Sequence, residues 1–208
     1  MAGTLFYVHD PMCSWCWGFS KVWKNIQSQL TDNINTQLIV GGLAPDSNDP
    51  MPASMQLTLQ QTWQHIEQVI PGTEFNHQFW SLNSPRRSTY PACRAVLAAK
   101  AQDPHFETPM IQAIQQAYYL DAKNPSNDST LIELASNIGC DSNHFTQALN
   151  SENTQQTLMG QIHFARMLGT QGFPSLIAET KSGQRQTIAF DYNNACVALD
   201  NLAHSLDS

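Results

Sequence analysis

The sequence predicts an α/β fold, with a βαβ unit at the start and a ββα unit at the end sharing one domain. A large α-helical insert separates the second strand from a connecting helix. Three observations carry that prediction. Apolar, β-branched and aromatic runs suited to strands occur early, at Leu5–Val8 and Gln37–Val40, and late, at Pro174–Ala178 and Gln186–Phe190. Between these pairs the apolar residues recur at helical spacing with no convincing strand. A CxxC pair, Cys13 and Cys16, falls where the first strand ends and the first helix begins. Residues 1–44 and 151–208 are therefore assigned to the sheet-bearing domain and 45–150 to the insert.

Leu5-Phe6-Tyr7-Val8 reads as a buried strand, and Asp10-Pro11 ends it because proline has no N–H to continue a ladder. Phe19, Val22, Trp23, Ile26 and Leu30 then keep helical spacing. Thr31-Asp32-Asn33 makes a turn into the second strand, which Gly41-Gly42 closes. This βαβ unit should cross over right-handedly. Ala44–Pro52 is a loop, with Pro45, Pro50 and Pro52 in it.

In the insert, Leu59, Trp63, Ile66 and Ile70 share a helix face that Pro71-Gly72 stops. Thr73–Thr89 is irregular and aromatic. Ala92–Ala101 is alanine-rich and helical, and Met110, Ile114 and Ala117 mark another helix with Pro109 near its start. Asp128 caps a helix carrying Leu131, Leu134 and Ala135, and Asp141 or Ser142 caps one through Phe145 and Leu149. Ser151 caps the connecting helix with Leu158, Ile162 and Ala165. Lys181-Ser182-Gly183-Gln184 is the hairpin loop of the late strands. Cys196, Leu199, Ala203 and Leu206 give the last helix its apolar face.

Composition excludes some functions. The 208 residues carry a net charge of −7, with no Lys/Arg cluster beyond Arg86-Arg87, which argues against a nucleic-acid partner. No run reaches the length of a membrane span. Met1-Ala2-Gly3-Thr4 leads straight into a strand without a basic or apolar leader. With Met1 as the start, the expected location is the cytoplasm. The odd count of five cysteines agrees, because a secreted disulfide framework normally pairs them.

The CxxC carries the chemistry. A helix N-terminus presents unpaired N–H groups and partial positive charge, which stabilise a thiolate and lower its pKa. Cys13 should lie outside the first turn and be reachable, and Cys16 one turn in and more buried. Cys13 is then the attacking thiolate and Cys16 the resolving thiol. Three other readings compete. A closed zinc site needs four ligands, and Cys93, Cys140 and Cys196 stand alone with no second CxxC. Haem attachment needs His after the second cysteine, where Trp17 stands. Two ordinary core cysteines is the blandest reading. No metal or organic cofactor is expected.

Strand–CxxC–helix–strand, a helical insert, then Gly172-Phe173-Pro174-Ser175-Leu176-Ile177, a hairpin and a last helix resembles the thioredoxin superfamily. The stretch Asp10-Pro11-Met12-Cys13-Ser14-Trp15-Cys16-Trp17-Gly18-Phe19 makes it most similar to the DsbA branch. Within that branch it resembles FrnE-like disulfide oxidoreductases and protein-disulfide isomerase-like proteins. Hydroxychromene-carboxylate isomerase and the kappa-class glutathione transferases are relatives of that group. The resemblance implies a thioredoxin-like fold and a cytoplasmic oxidoreductase or isomerase acting on protein or peptide thiols and disulfides, with glutathione as an optional co-substrate. It also implies a cis bond at Phe173-Pro174. That bond would turn the Phe173 backbone toward Cys13, beside an extended substrate. Outside this context, Pro174 is simply a strand-start proline. Ser14-Trp15 differs from the Gly-Pro of thioredoxin and the Pro-His of DsbA, so the direction of electron flow stays open.

The neighbours complete the expected site. Met12 and Trp15 are expected to form an exposed apolar rim for substrate, and Trp17 to be core. Asp10 reads as a turn or cap residue; beside the thiolate, its charge would raise the thiol pKa. His9 reads as a strand histidine, and Arg86-Arg87 as a solvated face, with contact to an anion or glutathione as the less favoured reading. Cys93, Cys140 and Cys196 read as buried free thiols. Two other functions use the same residues: a glutathione-dependent isomerase or transferase on a small molecule, and a non-catalytic chaperone-like binding module.

Overall fold

The computed structural model describes residues 3–206, so the readings of Met1, Ala2 and positions 207–208 lie outside the described residues. The elements run β1 (Gly3–His9), α1 (Ser14–Gln29) and β2 (Ile34–Val40), then α2 (Ala53–Val69), α3 (Phe79–Leu82) and α4 (Tyr90–Gln102). A 3₁₀ turn at Pro104–Phe106 leads to α5 (Glu107–Tyr119), α6 (Asp128–Asn137) and α7 (Ser142–Leu149). The connecting α8 (Glu152–Met167), β3 (Ser175–Thr180), β4 (Arg185–Ile188) and α9 (Ala195–Leu206) follow. This is the thioredoxin-like α/β order expected from the sequence. Among the described residues no helix is long and apolar enough to cross a membrane.

The sheet order is β2-β1-β3-β4. β1 pairs in parallel with β2, with Tyr7 opposite Leu38, and antiparallel with β3, with Tyr7 opposite Leu176. A central strand covered on both sides must be apolar at every position, which is why Leu5–Val8 does not alternate. Leu5 and Tyr7 face the larger core with Phe19, Trp23 and Ile26 of α1. Phe6 and Val8 face a smaller one with Ile39, Ile177 and Ala165 of α8. The larger core continues into the insert through Trp63, Phe79, Ile114 and Tyr119.

Several local expectations are corrected. β2 starts at Ile34, because Ile34–Thr36 pair with Gly3–Leu5 although they are only half-buried. The irregular stretch before α4 contains the single turn of α3. Asn127, not Asp128, is the cap residue of α6, and Asp128 sits in the first turn, where its charge suits the helix N-terminus. Asp141 and Ser151 cap as expected, accepting the N–H of His144 at 2.8 Å and of Thr154 at 3.2 Å. The buried face of α9 is Ala195, Ala198, Leu202 and Ser205, one residue away from the predicted face. Asn194 Oδ1 accepts the Cys196 N–H at 3.0 Å, which starts the helix with Ala195 turned inward and Cys196 outward. Cys196 is therefore an exposed thiol, while Cys93 and Cys140 are buried.

Candidate functional site: the Cys13–Cys16 pair

Cys13 is the cap residue of α1, extended at φ −82° and ψ 118°. Its N–H bonds the Asp10 carbonyl at 3.0 Å, and its own carbonyl accepts the Trp17 N–H at 3.1 Å. Cys13 keeps 7 % exposure, whereas Cys16, one turn in, has 0 %. Both are free thiols. The Cys16 thiol donates to the Cys13 sulfur and holds the Cys13 pKa below the usual thiol range. The N–H groups of Cys16 and Trp15 add to this, against burial and the charge of Asp10. Burial pushes Cys16 well up, and its contact with Cys13 adds to the rise. One thiol is thus disposed to ionise and its partner to keep its proton.

The far end of the chain closes over this pair. The Phe173-Pro174 peptide bond is cis. The Cys13 thiol lies 3.5 Å from the Phe173 carbonyl oxygen, to which it donates. Gly41 at the end of β2 leaves no room for a Cβ, which would fall on the Phe173 ring. Above Cys13 is a cavity of about 240 Å³. Met12, Trp15 and Phe173 line it, and so do Trp63 and Tyr118 of the insert. Pro174 lines a separate neighbouring groove with Gly172 and Ser175.

The two expected rim residues, Met12 and Trp15, are covered, and Trp17, expected in the core, is only half-buried. Met12 is 9 % exposed and packs in the larger core, because the insert covers it. Trp17 is half-buried: its indole N–H donates to the Glu74 carbonyl at 3.0 Å and its ring stacks on Tyr119. Trp15 is half-buried between Tyr192 and His65. Arg86 and Arg87 are half-buried and line the Cys13 cavity instead of forming a solvated face. Loop and insert residues at the site, Leu43, Thr89, Trp63 and Tyr118 among them, escaped the sequence reading. No local pattern marks them, since the fold brings them from tens of residues away.

Asp10 ties the CxxC loop to the insert. Its fully buried carboxylate accepts the N–H of Met12 at 2.8 Å and of Leu43 at 2.7 Å, and the Thr89 hydroxyl at 2.7 Å. The Cys93 thiol approaches at 3.5 Å. Burial raises the Asp10 pKa, and these donors oppose the rise. It is a turn residue and also a charge near the thiols. Asp10→Ala should cost roughly 3 kcal/mol, because several buried donors lose their acceptor at once. Asp10→Asn should recover part of it. Urea unfolding measures both, and a loss below ~1 kcal/mol for Asp10→Ala would show that the loop holds without the carboxylate.

His9 is 1 % exposed, and both its ring nitrogens lack a partner. It stacks on Tyr7 at 5.1 Å between ring centroids. Burial, with a smaller contribution from the charge of Lys100, lowers its pKa from 6.5 to about 3. Among the described residues no three His, Cys, Asp or Glu side chains converge in a way that would hold a metal ion.

A family model described as Thioredoxin matches residues 6–196. A candidate protein disulfide isomerase from Nitrosomonas europaea has a TM-score of 0.86 and 26 % identity, over 99 % of this chain and 98 % of that one. The cytosolic disulfide reductase DsbM from Pseudomonas aeruginosa has a TM-score of 0.76 and 24 % identity, over 98 % and 97 % of the two chains. DsbM has also been solved with GSH. The ClpXP adapter protein SpxH of Halalkalibacterium halodurans is 23 % identical over 172 residues, 81 % of this chain and 56 % of that protein. The chain thus spans about half the length of the curated relatives it matches.

Proposed function

The chain belongs to the thioredoxin family, and on that premise we propose that it is a thiol–disulfide oxidoreductase whose attacking thiolate is Cys13 and whose resolving thiol is Cys16. The observation that carries the proposal is the split between the two sulfurs: Cys13 lines the cavity with a lowered pKa, and Cys16 lies beneath it with a raised one. A thiolate is the nucleophile, so the first attack falls to the sulfur that ionises and can be reached.

In the reducing direction, the Cys13 thiolate attacks one sulfur of a substrate disulfide. A Cys13–substrate disulfide forms, and the other substrate sulfur leaves as a thiolate that takes up a proton. Cys16 then gives up its proton and attacks the Cys13 sulfur. The Cys13–Cys16 disulfide forms, the second substrate thiolate leaves, and two electrons have passed to the substrate. The oxidising direction is the reverse. The Phe173 carbonyl and the groove along Pro174 would pair with an extended substrate, and Met12 and Trp15 would supply apolar contact. The proposed partners are protein or peptide thiols and disulfides, with glutathione as co-substrate and no cofactor beyond the dithiol itself. The proposed compartment is the cytoplasm, where five cysteines stay reduced.

The test is the reduction potential of the pair, equilibrated against glutathione buffers. A defined two-electron transition is expected, and its position sorts oxidant or isomerase from reductant. No transition at any poise would end the oxidoreductase reading. The curated relatives, named as adapters, favour a second reading, a protein-binding role. A double Cys13→Ser, Cys16→Ser variant that keeps full biological activity would select it.

A further inference from the structure

Eight of the residues that line the Cys13 cavity are apolar or aromatic, Met12, Leu43, Trp63 and Phe173 among them, and the lining holds two arginines and no carboxylate. That balance is unusual for this chain, which carries 17 acidic against 10 basic residues. Arg94, Lys100, Lys123 and Arg185 each pair with a carboxylate. Arg86 and Arg87 pair with none among the described residues. Arg86 is held in place by Nη2, which donates to the Ser126 carbonyl and to Asn127 Oδ1 at 2.9 Å, and its buried Nε has no partner. Arg87 lies close enough to act on the Tyr118 hydroxyl. Three carboxylates lie nearby and each has partners: Asp10 is fully buried and accepts from Met12, Leu43, Thr89 and Cys93, while Asp46 and Asp128, which share the cleft beside Arg86, bond Arg94 and Asn150.

Two guanidinium groups without carboxylate partners, at the wall of a half-apolar cavity, form a receptor for an anion. We propose that this cleft selects small disulfides whose organic groups carry a carboxylate, with Arg86 and Arg87 as specificity-determining residues. The proposal rests on the oxidoreductase reading and adds the substrate's charge. A cavity of about 240 Å³ over a sulfur with 7 % exposure suits a small molecule better than a folded protein surface. Arg86 and Ser88 also border a polar cleft of about 570 Å³, but Asp46 and Asp128 line that cleft, so the place for the anion is the Cys13 cavity, whose lining has no carboxylate.

The test uses the reduced full-length chain carrying Cys196→Ser, which removes the exposed thiol. Three aliphatic disulfides serve as probes: 3,3′-dithiodipropionate (anionic), 2-hydroxyethyl disulfide (neutral) and cystamine (cationic). In each reaction the two thiols of the protein are oxidised to Cys13–Cys16 and the probe is reduced to two thiols. Rates are followed by tryptophan fluorescence and divided by those of dithiothreitol with the same probe, which removes intrinsic reactivity. The anionic probe should react about tenfold faster than the neutral one, and the cationic probe slower, at low salt. The net charge of −7 acts the other way, so a preference for anions must come from the cleft.

Arg87→Gln should cut the anionic-to-neutral ratio roughly threefold, and Arg87→Lys should restore most of it. Among the described residues Arg87 makes no side-chain hydrogen bond that Gln would break, so this arm stands even if Arg86→Gln fails to fold. Equal normalised rates for the three probes, or a ratio unmoved by Arg87→Gln, overturn the proposal and leave the oxidoreductase reading intact. No reaction with any probe removes that reading and the selectivity with it.

Discussion

Cys13→Ser is expected to lower disulfide exchange by roughly 10³-fold or more, while Cys16→Ser keeps the first attack and accumulates a mixed disulfide. A hydroxyl at position 13 cannot ionise near neutral pH, whatever the helix N-terminus contributes, so no nucleophile remains. Loss of Cys16 has two effects. It removes the thiol whose hydrogen bond is the largest cause of the lowered Cys13 pKa, so the pH midpoint for attack should rise in Cys16→Ala, while the hydroxyl of Cys16→Ser can still donate. It also removes the second nucleophile, so the covalent adduct persists. Gel shift or intact mass reads the adduct, and a pH series of the attack rate reads the midpoint. Because Cys16 has 0 % exposure, serine there buries a hydroxyl, and Cys16→Ala serves as the control for packing. Near-normal turnover in Cys13→Ser would sink the assignment of the nucleophile. Failure of both position-16 variants to trap any adduct would sink the resolving role.

The legible parts of this molecule are those written in contiguous residues. The apolar run of β1 betrays a central strand, because both its faces are covered and each position needs an apolar side chain. The CxxC betrays the start of α1, because the strand ends at His9 and the helical period begins within a turn of it. The caps Asp141 and Ser151 are equally local. What escaped is non-local. Thr89 reaches Asp10 across 79 positions, and Cys13 meets Phe173 across 160. Arg86-Arg87 looks like any solvated dipeptide until the insert folds back over the cavity. Met12 reads as a surface residue for the same reason: the insert that covers it has no signature near residue 12. On α9 the difficulty is different. Alanines occupy both faces, so apolar spacing alone does not choose between Ala195 and Cys196, and the cap at Asn194 decides it.

The second large expected effect is a dependence of stability on pH that belongs to His9. A buried histidine with both ring nitrogens unpartnered stays neutral in the fold, and its pKa falls from 6.5 to about 3. In the unfolded chain it takes up a proton once the pH drops below about 6.5. Between these two values the unfolded state binds more protons, so acid favours unfolding. The loss is ~1.4 kcal/mol per pH unit and ~5 kcal/mol by pH 3, a large share of the ~5–15 kcal/mol that stabilises an ordinary domain. Asp10 acts in the opposite sense. Burial raises its carboxyl pKa, so the fold takes up that proton before the unfolded chain does, and the uptake supports the fold as pH falls. The wild-type curve therefore mixes the two, and the difference from a His9 variant isolates one. His9→Phe keeps a ring against Tyr7 and removes the titrating nitrogens; His9→Leu is the smaller alternative should a phenyl overfill the site. Urea unfolding of wild type and variant at intervals from pH 7 to pH 4 should give curves that diverge below pH 6.5, with the variant gaining on the wild type at every step. Parallel curves would mean that the His9 ring finds a proton-stabilising partner in the fold, and the account of it as a neutral, buried strand residue would fail.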